Sequence, residues 1–161
     1  MFLQMAMAGA LALCQPYYDE SQALHGYKSC DGQVALAPKY IMAAPFGKGG
    51  IAAVLDDTGW HYINRRGALV IRPLVFDNGP DYFSDGLARY KEGGKYGFFN
   101  TAGAIVIAAQ FEFAYPFAKG RAKVGEDCTF TPDGEHTRVE CRTWRFIGKP
   151  LLHGSKPAKG I

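Results

Sequence analysis

The sequence predicts an all-β fold built from a short repeat. Three observations carry that expectation: abundant glycine, aromatic residues spaced two apart, and self-similarity at a period of 34–37 residues. Of 161 residues, 20 are glycine and 14% are aromatic. Glycine costs about 1 kcal/mol in a helix interior relative to alanine, so a helical chain would carry less of it. No window shows apolar residues at helical spacing between capping residues. The 48% hydrophobic content suffices for a core and excludes wholesale disorder. A net charge of +3 falls short of the concentrated positive field of a dedicated nucleic-acid binder, so no nucleic-acid partner is expected.

The repeat is legible when Trp60-His-Tyr-Ile-Asn-Arg-Arg-Gly67 is set against Tyr96-Gly-Phe-Phe-Asn-Thr-Ala-Gly103, at an offset of 36. Leu69–Ile71 and Ile105–Ile107 follow as apolar strands. Upstream, Phe83-Ser-Asp-Gly86-Leu-Ala88 matches Phe117-Ala-Lys-Gly120-Arg-Ala122, and Pro45-Phe46 opens a third version with one extra residue before Ala52. A partial copy of the aromatic segment recurs at Trp144-Arg-Phe-Ile147. Each unit therefore reads as a short strand (51–55, 87–91, 121–124), a turn, an aromatic strand, an Asn-x-x-Gly turn and an apolar strand. The pairs Trp60/Tyr62, Tyr96/Phe98 and Trp144/Phe146 sit at i, i+2, which places each pair on one sheet face. Asn bonds its own downstream backbone, and Gly67 and Gly103 accept the left-handed conformation that ends such loops. The unit is a three-stranded meander. About three of them, in an open curved or propeller-like stack, span 33–152, with 15–32 as an N-terminal cap.

These motifs resemble the WG (tryptophan–glycine) β-repeat family. The resemblance is carried by Tyr96-Gly97-Phe98-Phe99-Asn100 through Gly103 and by Phe83 through Ala88, and it covers about 120 residues. The namesake dipeptide itself reads Trp60-His61, Tyr96-Gly97 and Trp144-Arg145. The position of Gly97 implies close approach of another backbone or ring, a space that His61 and Arg145 would fill or leave for solvent. The resemblance further implies a bacterial protein, often of the envelope or secreted, with a role in binding or assembly and no established catalytic activity.

The N-terminal segment 1–14 is an apolar run. It is too short for a spanning helix and suits the apolar region of a secretory signal, with Ala8-Gly9-Ala10 as the cleavage candidate. The basic residues that normally precede such a region are missing, which keeps an uncleaved anchor or a core strand open. Leu11-Ala12-Leu13-Cys14 is similar to a lipoprotein box, but Leu13 stands where a small residue is needed. Residues 153–161 have the composition of a flexible tail. The resulting expectation is a periplasmic or secreted protein with no stable membrane span, cytoplasmic if the apolar run is not a signal.

Four cysteines agree with an oxidising compartment. Cys128 and Cys141 bracket one polar segment, and Cys14 and Cys30 another; the alternative is four free thiols. The segment 125–143 breaks the period: earlier copies use five residues there and this one uses nineteen. It reads either as a disulfide-pinned hairpin with a turn at 132–134 or as a recognition loop, with Asp133 and His136 as binding candidates. A zinc site at Cys128, His136 and Cys141, or a hard-cation site at Asp127, Asp133 and Glu135, lacks a recognised spacing.

No nucleophile elbow, phosphate loop, zinc-protease motif or dinucleotide fingerprint occurs. The four histidines are scattered and read mostly as exposed. No cofactor is expected. The favoured function is a non-catalytic binding module with a protein or envelope polymer as partner. A carbohydrate-binding module, stacking sugars on Tyr82, Tyr90, Tyr96 and Tyr115, is the alternative. A small metal protein is the third reading.

Overall fold

The computed structural model describes residues 11–151; the apolar run before residue 11, the cleavage candidate and the tail lie outside the described residues. All regular structure among the described residues is β, and no helix there is long and apolar enough to cross a membrane. The strands are β1 (Leu13–Asp19), β2 (Leu24–Ser29), β3 (Val34–Tyr40), β4 (Met42–Ala43), β5 (Ile51–Asp56), β6 (Gly59–Asn64), β7 (Leu69–Ile71) and β8 (Val75–Phe76). They continue with β9 (Gly79–Pro80), β10 (Leu87–Glu92), β11 (Lys95–Asn100), β12 (Ile105–Phe111), β13 (Phe113–Ala114), β14 (Arg121–Asp133) and β15 (His136–Gly148). They form small antiparallel sheets in the orders β1-β2-β3, β4-β5-β6-β7, β8-β9, β10-β11-β12 and β13-β14-β15.

The chain divides into two compact units. The first comprises residues 11–82 and 100–104, the second 83–99 and 105–151. In the first, Leu13, Tyr27, Tyr40, Ala52, Val54 and Ile63 make one core cluster, and Leu36 and Phe46 pack on it. The Tyr27 hydroxyl is satisfied by donating to the Ala44 carbonyl at 2.7 Å, and burial pushes its pKa upward. In the second unit the core is Phe98, Phe99, Phe111, Phe117, Ala114 and Val124, with the Phe98 and Phe117 rings edge to face at 4.8 Å.

The two recurring turns account for the motifs. Asn64 and Asn100 each accept two backbone N–H bonds on Oδ1, from Arg66 and Ala68 and from Ala102 and Ala104, at 2.9–3.1 Å. Gly67 and Gly103 close these turns at φ +76° and +80°. The Phe-x-x-Gly motif is a two-residue hairpin. Ser84 and Leu87 exchange both backbone hydrogen bonds across Asp85 and Gly86, which have φ +53° and +74°. Ala118 and Arg121 do the same across Lys119 and Gly120. Positive φ at both loop positions is the type I′ geometry that matches strand twist.

Two expectations change. Residues 15–32 are not an atypical cap but most of the first two strands of another meander, and Leu13 and Cys14, expected in the apolar leader, begin its first strand. Its β2–β3 register (His25↔Tyr40, Tyr27↔Leu36, Lys28↔Val34) repeats that of β11–β12 (Tyr96↔Phe111, Phe98↔Ile107, Phe99↔Ile105), and both share the β6–β7 register at Tyr62↔Ile71 and Ile63↔Leu69. The copy is concealed in sequence because Ser29 and Asp31 do the work of the turn Asn and Lys28 replaces an apolar residue. Second, burial is not confined to one face: Tyr96, Phe98 and Phe99 are all buried, as are Tyr62, Ile63 and His61. The 125–143 segment takes the first of its two readings, a disulfide-pinned hairpin, with β14 running to Asp133, β15 starting at His136 and the turn at 134–135.

Candidate functional site

The segment that breaks the period extends β14 and β15 into a ribbon of 13-residue strands, paired from Arg121↔Gly148 to Asp133↔His136. Only its base belongs to a wider sheet, where β13 pairs with β14 at Phe113↔Gly125 and Ala114↔Val124. Beyond that the ribbon has two strands, which alone are marginal in water. Cys128 and Cys141 face each other in the register and are joined as a disulfide, which supplies the missing constraint. Gly134, at φ +64° in the first of the two loop positions, turns the tip as a type II′ hairpin requires. Asp133 and Arg138 pair across that tip at 3.2 Å, both exposed.

Asp127 takes φ +53° opposite Arg142: Glu126 faces Thr143 and Cys128 faces Cys141, so the register runs through this point unshifted. The Glu112 carboxylate accepts the Cys128 N–H at 2.8 Å and lies 3.6 Å from the Lys95 ammonium. That backbone bond, then Lys95, hold the Glu112 carboxyl below its ordinary range. A depression of about 630 Å³ lies here, lined by Glu112, Asp127, Cys128, Thr129, Glu140, Cys141 and Arg142.

Toward the ribbon's base the surface changes character. Phe113 is the hub of a ring cluster, with Tyr96 at 5.3 Å, Tyr115 at 5.0 Å, Trp144 at 6.2 Å and Phe130 at 6.4 Å. The Lys123 ammonium lies 4.7 Å over Trp144, the Arg121 guanidinium 4.4 Å over Phe146.

Residues 60–96 and 96–127 each match the model of the WG containing repeat family. Residues 60–127 carry WG repeats. No curated protein and no solved structure matches it significantly.

Within the WG repeats, the glycine at the namesake position has a visible task. A Cβ on Gly97 would meet the Ile107 carbonyl oxygen at 2.6 Å, the Ala109 nitrogen at 2.7 Å and the Tyr90 ring at 2.6 Å. Gly26 is enclosed in the same way by the Leu36 carbonyl oxygen and the Tyr17 ring. Tyr90 is therefore consumed internally: it is buried and its hydroxyl accepts the Ala109 N–H at 3.0 Å. Where His61 replaces the glycine, the residue opposite it is Val54 rather than a tyrosine. His61 is buried, filling space rather than projecting into solvent, with Nδ1 3.2 Å from the Gly59 carbonyl and Nε2 3.8 Å from Asp56.

Of the tyrosines expected to stack on sugars, Tyr90 and Tyr96 are buried and unavailable, while Tyr82 and Tyr115 are exposed but belong to separate units. Cys128 and Cys141 are not metal ligands, because each sulfur is bonded to the other. Cys14 and Cys30 are likewise a disulfide, which closes the lipid-attachment reading of Cys14 in this structure. Asp133 and His136 face each other at the ribbon tip, roughly 17 Å along the strand from the disulfide. The sequence reading missed Arg121, Lys123 and Phe146. The signal was there: cations at i, i+2 opposite rings at i, i+2.

Proposed function

We propose that this WG-repeat chain is a non-catalytic binding module working outside the cytoplasm, and that the β14–β15 ribbon is its contact element for a protein or envelope polymer. The observation that carries this reading is the ribbon itself. The registers of β3, β7 and β12 on their aromatic strands show what a repeat needs for its own stability. The ribbon continues well beyond that requirement, is held by its own disulfide and exposes Phe130 and Phe146 to solvent. Exposed rings on a constrained element are a typical composition for contact surfaces. Two disulfides in a chain of this size support an oxidising compartment.

The test replaces residues 126–143 by the four-residue connection that 56–59 makes between Leu55 and Trp60. Capture of material from an envelope extract should fall severalfold in the shortened chain, which keeps the base of the ribbon, while its circular dichroism stays β-type. Equal capture by both chains would remove the ribbon from the function.

A further inference from the structure

We propose that the base of the β14–β15 ribbon binds an anionic envelope polysaccharide, a sugar chain bearing carboxylate or phosphate groups at short intervals. The proposal rests on the reading of the ribbon as contact element and adds the chemistry of its ligand. Arg121 and Lys123 stand at i, i+2 on β14, so they leave one face of the strand about 6–7 Å apart. In the register Lys123 faces Phe146 and Gly125 faces Trp144, yet Lys123 lies over Trp144 and Arg121 over Phe146. Both contacts are therefore diagonal and run in the same direction, forming a small ladder of cations on rings.

The Asp85 carboxylate accepts the neighbouring Gly120 N–H at 2.7 Å, but the two strand segments of the ladder carry only cations. Residues 121–125 and 143–149 contain Arg121, Lys123, Arg145 and Lys149 and no carboxylate. Among the described residues neither Arg121 nor Lys123 forms an ion pair with a carboxylate. Lys149 donates to the Asp85 carbonyl oxygen and Arg145 lies 5.4 Å over Phe111. A ring beneath a cation fixes its position and leaves its outward N–H groups free, which lowers the ordering cost of meeting an anion.

The rings favour a sugar backbone over other polyanions. Tyr115, 45% exposed, lies 5.8 Å from Trp144 at an interplanar angle of 33°, and Phe146 is 57% exposed. One face of Phe146 is taken by Arg121, so Tyr115 is the ring that offers the C–H face of a pyranose a flat apolar surface beside the cations. The outer edge of β15 pairs with no strand among the described residues, so an acidic peptide joining that edge is the competing ligand, and polyglutamate is its probe.

The test titrates the purified full chain with polygalacturonate and, separately, with poly(glycerol phosphate), following tryptophan fluorescence and calorimetry. The two polymers distinguish carboxylate from phosphate as the recognised group. Binding to at least one is expected, weakened about tenfold or more both by high salt and by the double variant Arg121→Gln/Lys123→Gln. Phe146→Leu, which removes the ring but keeps the charge, should weaken it severalfold, and Arg138→Gln at the tip should leave it unchanged. No binding to either polymer overturns the proposal. So does undiminished binding by the double variant, or equal affinity for polyglutamate or single-stranded DNA. If the polymers fail while envelope capture still depends on residues 126–143, the ligand assignment falls and the ribbon reading stands. If capture also survives removal of the ribbon, both fall.

Discussion

The β10–β12 meander and the β14–β15 ribbon belong to the same unit and start from the same hairpin turn, yet they end differently. In the meander the aromatic strand β11 is covered by the seven-residue β12, and Tyr96 through Phe99 are buried. In the ribbon the aromatic segment of β15 pairs only with β14 among the described residues, and Phe146 is 57% exposed. The difference follows the residue after the first aromatic. Gly26 and Gly97 each accompany a seven-residue third strand, His61 accompanies the three-residue β7, and Arg145 accompanies none among the described residues. A missing Cβ is what lets the next backbone close in, and its absence from the ribbon turns a structural strand into an exposed one.

The largest expected effect tests where the stability of this unit resides. Phe98 is fully buried against Phe117. Phe98→Ala should cost about 3–5 kcal/mol in denaturant unfolding. Phe146→Ala, at the equivalent place in the ribbon, should stay within about 0.5 kcal/mol, as exposed sites do. Comparable losses at both positions would mean that the ribbon ring is also a core residue.

Next in size is the ribbon's own constraint. Closing a loop of this length contributes about 3 kcal/mol in the chain-entropy model. Cys128→Ser/Cys141→Ser should therefore release hydrogen-exchange protection across residues 126–143 while Phe98 and Phe99 keep theirs. Loss of protection throughout the meander would show that the ribbon and the core unfold as one.

A smaller cost is expected for Gly97→Ala: the Tyr90 ring can shift, while the Ile107 carbonyl oxygen and the Ala109 nitrogen yield only by moving β12. Overpacking of this kind costs about 1–3 kcal/mol. The signature that separates it from a general loss is position: Ala109, whose N–H bonds Tyr90, should lose exchange protection before Ile105 at the other end of β12. Arg145→Ala should do nothing of the sort.

These contrasts also explain what was legible in the sequence. The Asn-x-x-Gly and Phe-x-x-Gly turns were readable because each needs particular residues for positive φ and for its side-chain bonds. The first meander was not, since Ser29 and Asp31 reproduce the Asn turn with different atoms, and only Gly26 and Gly32 keep the spacing of Gly97 and Gly103. Both disulfides matched cysteines already paired by segment. The tyrosine platform failed because Tyr90 and Tyr96 alternate along their strands as binding tyrosines would, while their burial depends on neighbouring strands. The cation ladder depends on the register of β14 against β15, a pairing that residue spacing alone does not state.

The mildest test of the contrast is acid, and it acts where ribbon and meander meet chemically. Glu112 directly follows β12, and its carboxylate holds the Cys128 N–H of the ribbon. That bond, with the Lys95 ammonium, lowers its pKa in the folded state relative to the unfolded chain. The unfolded state therefore binds the proton first as pH falls, and the contribution of Glu112 is complete above the ordinary carboxylate range. It is lost progressively as pH drops from about 4.3 through the lower folded-state value. Between neutral pH and that range, exchange protection of the Cys128 amide should be flat; below it, protection should fall ahead of global unfolding. Glu112→Gln keeps an acceptor oxygen without the charge, so it should flatten the acid dependence while leaving part of the neutral-pH protection. A Cys128 amide whose protection follows global unfolding in both proteins would place the attachment of the ribbon elsewhere, in the disulfide and the β13–β14 pairing alone.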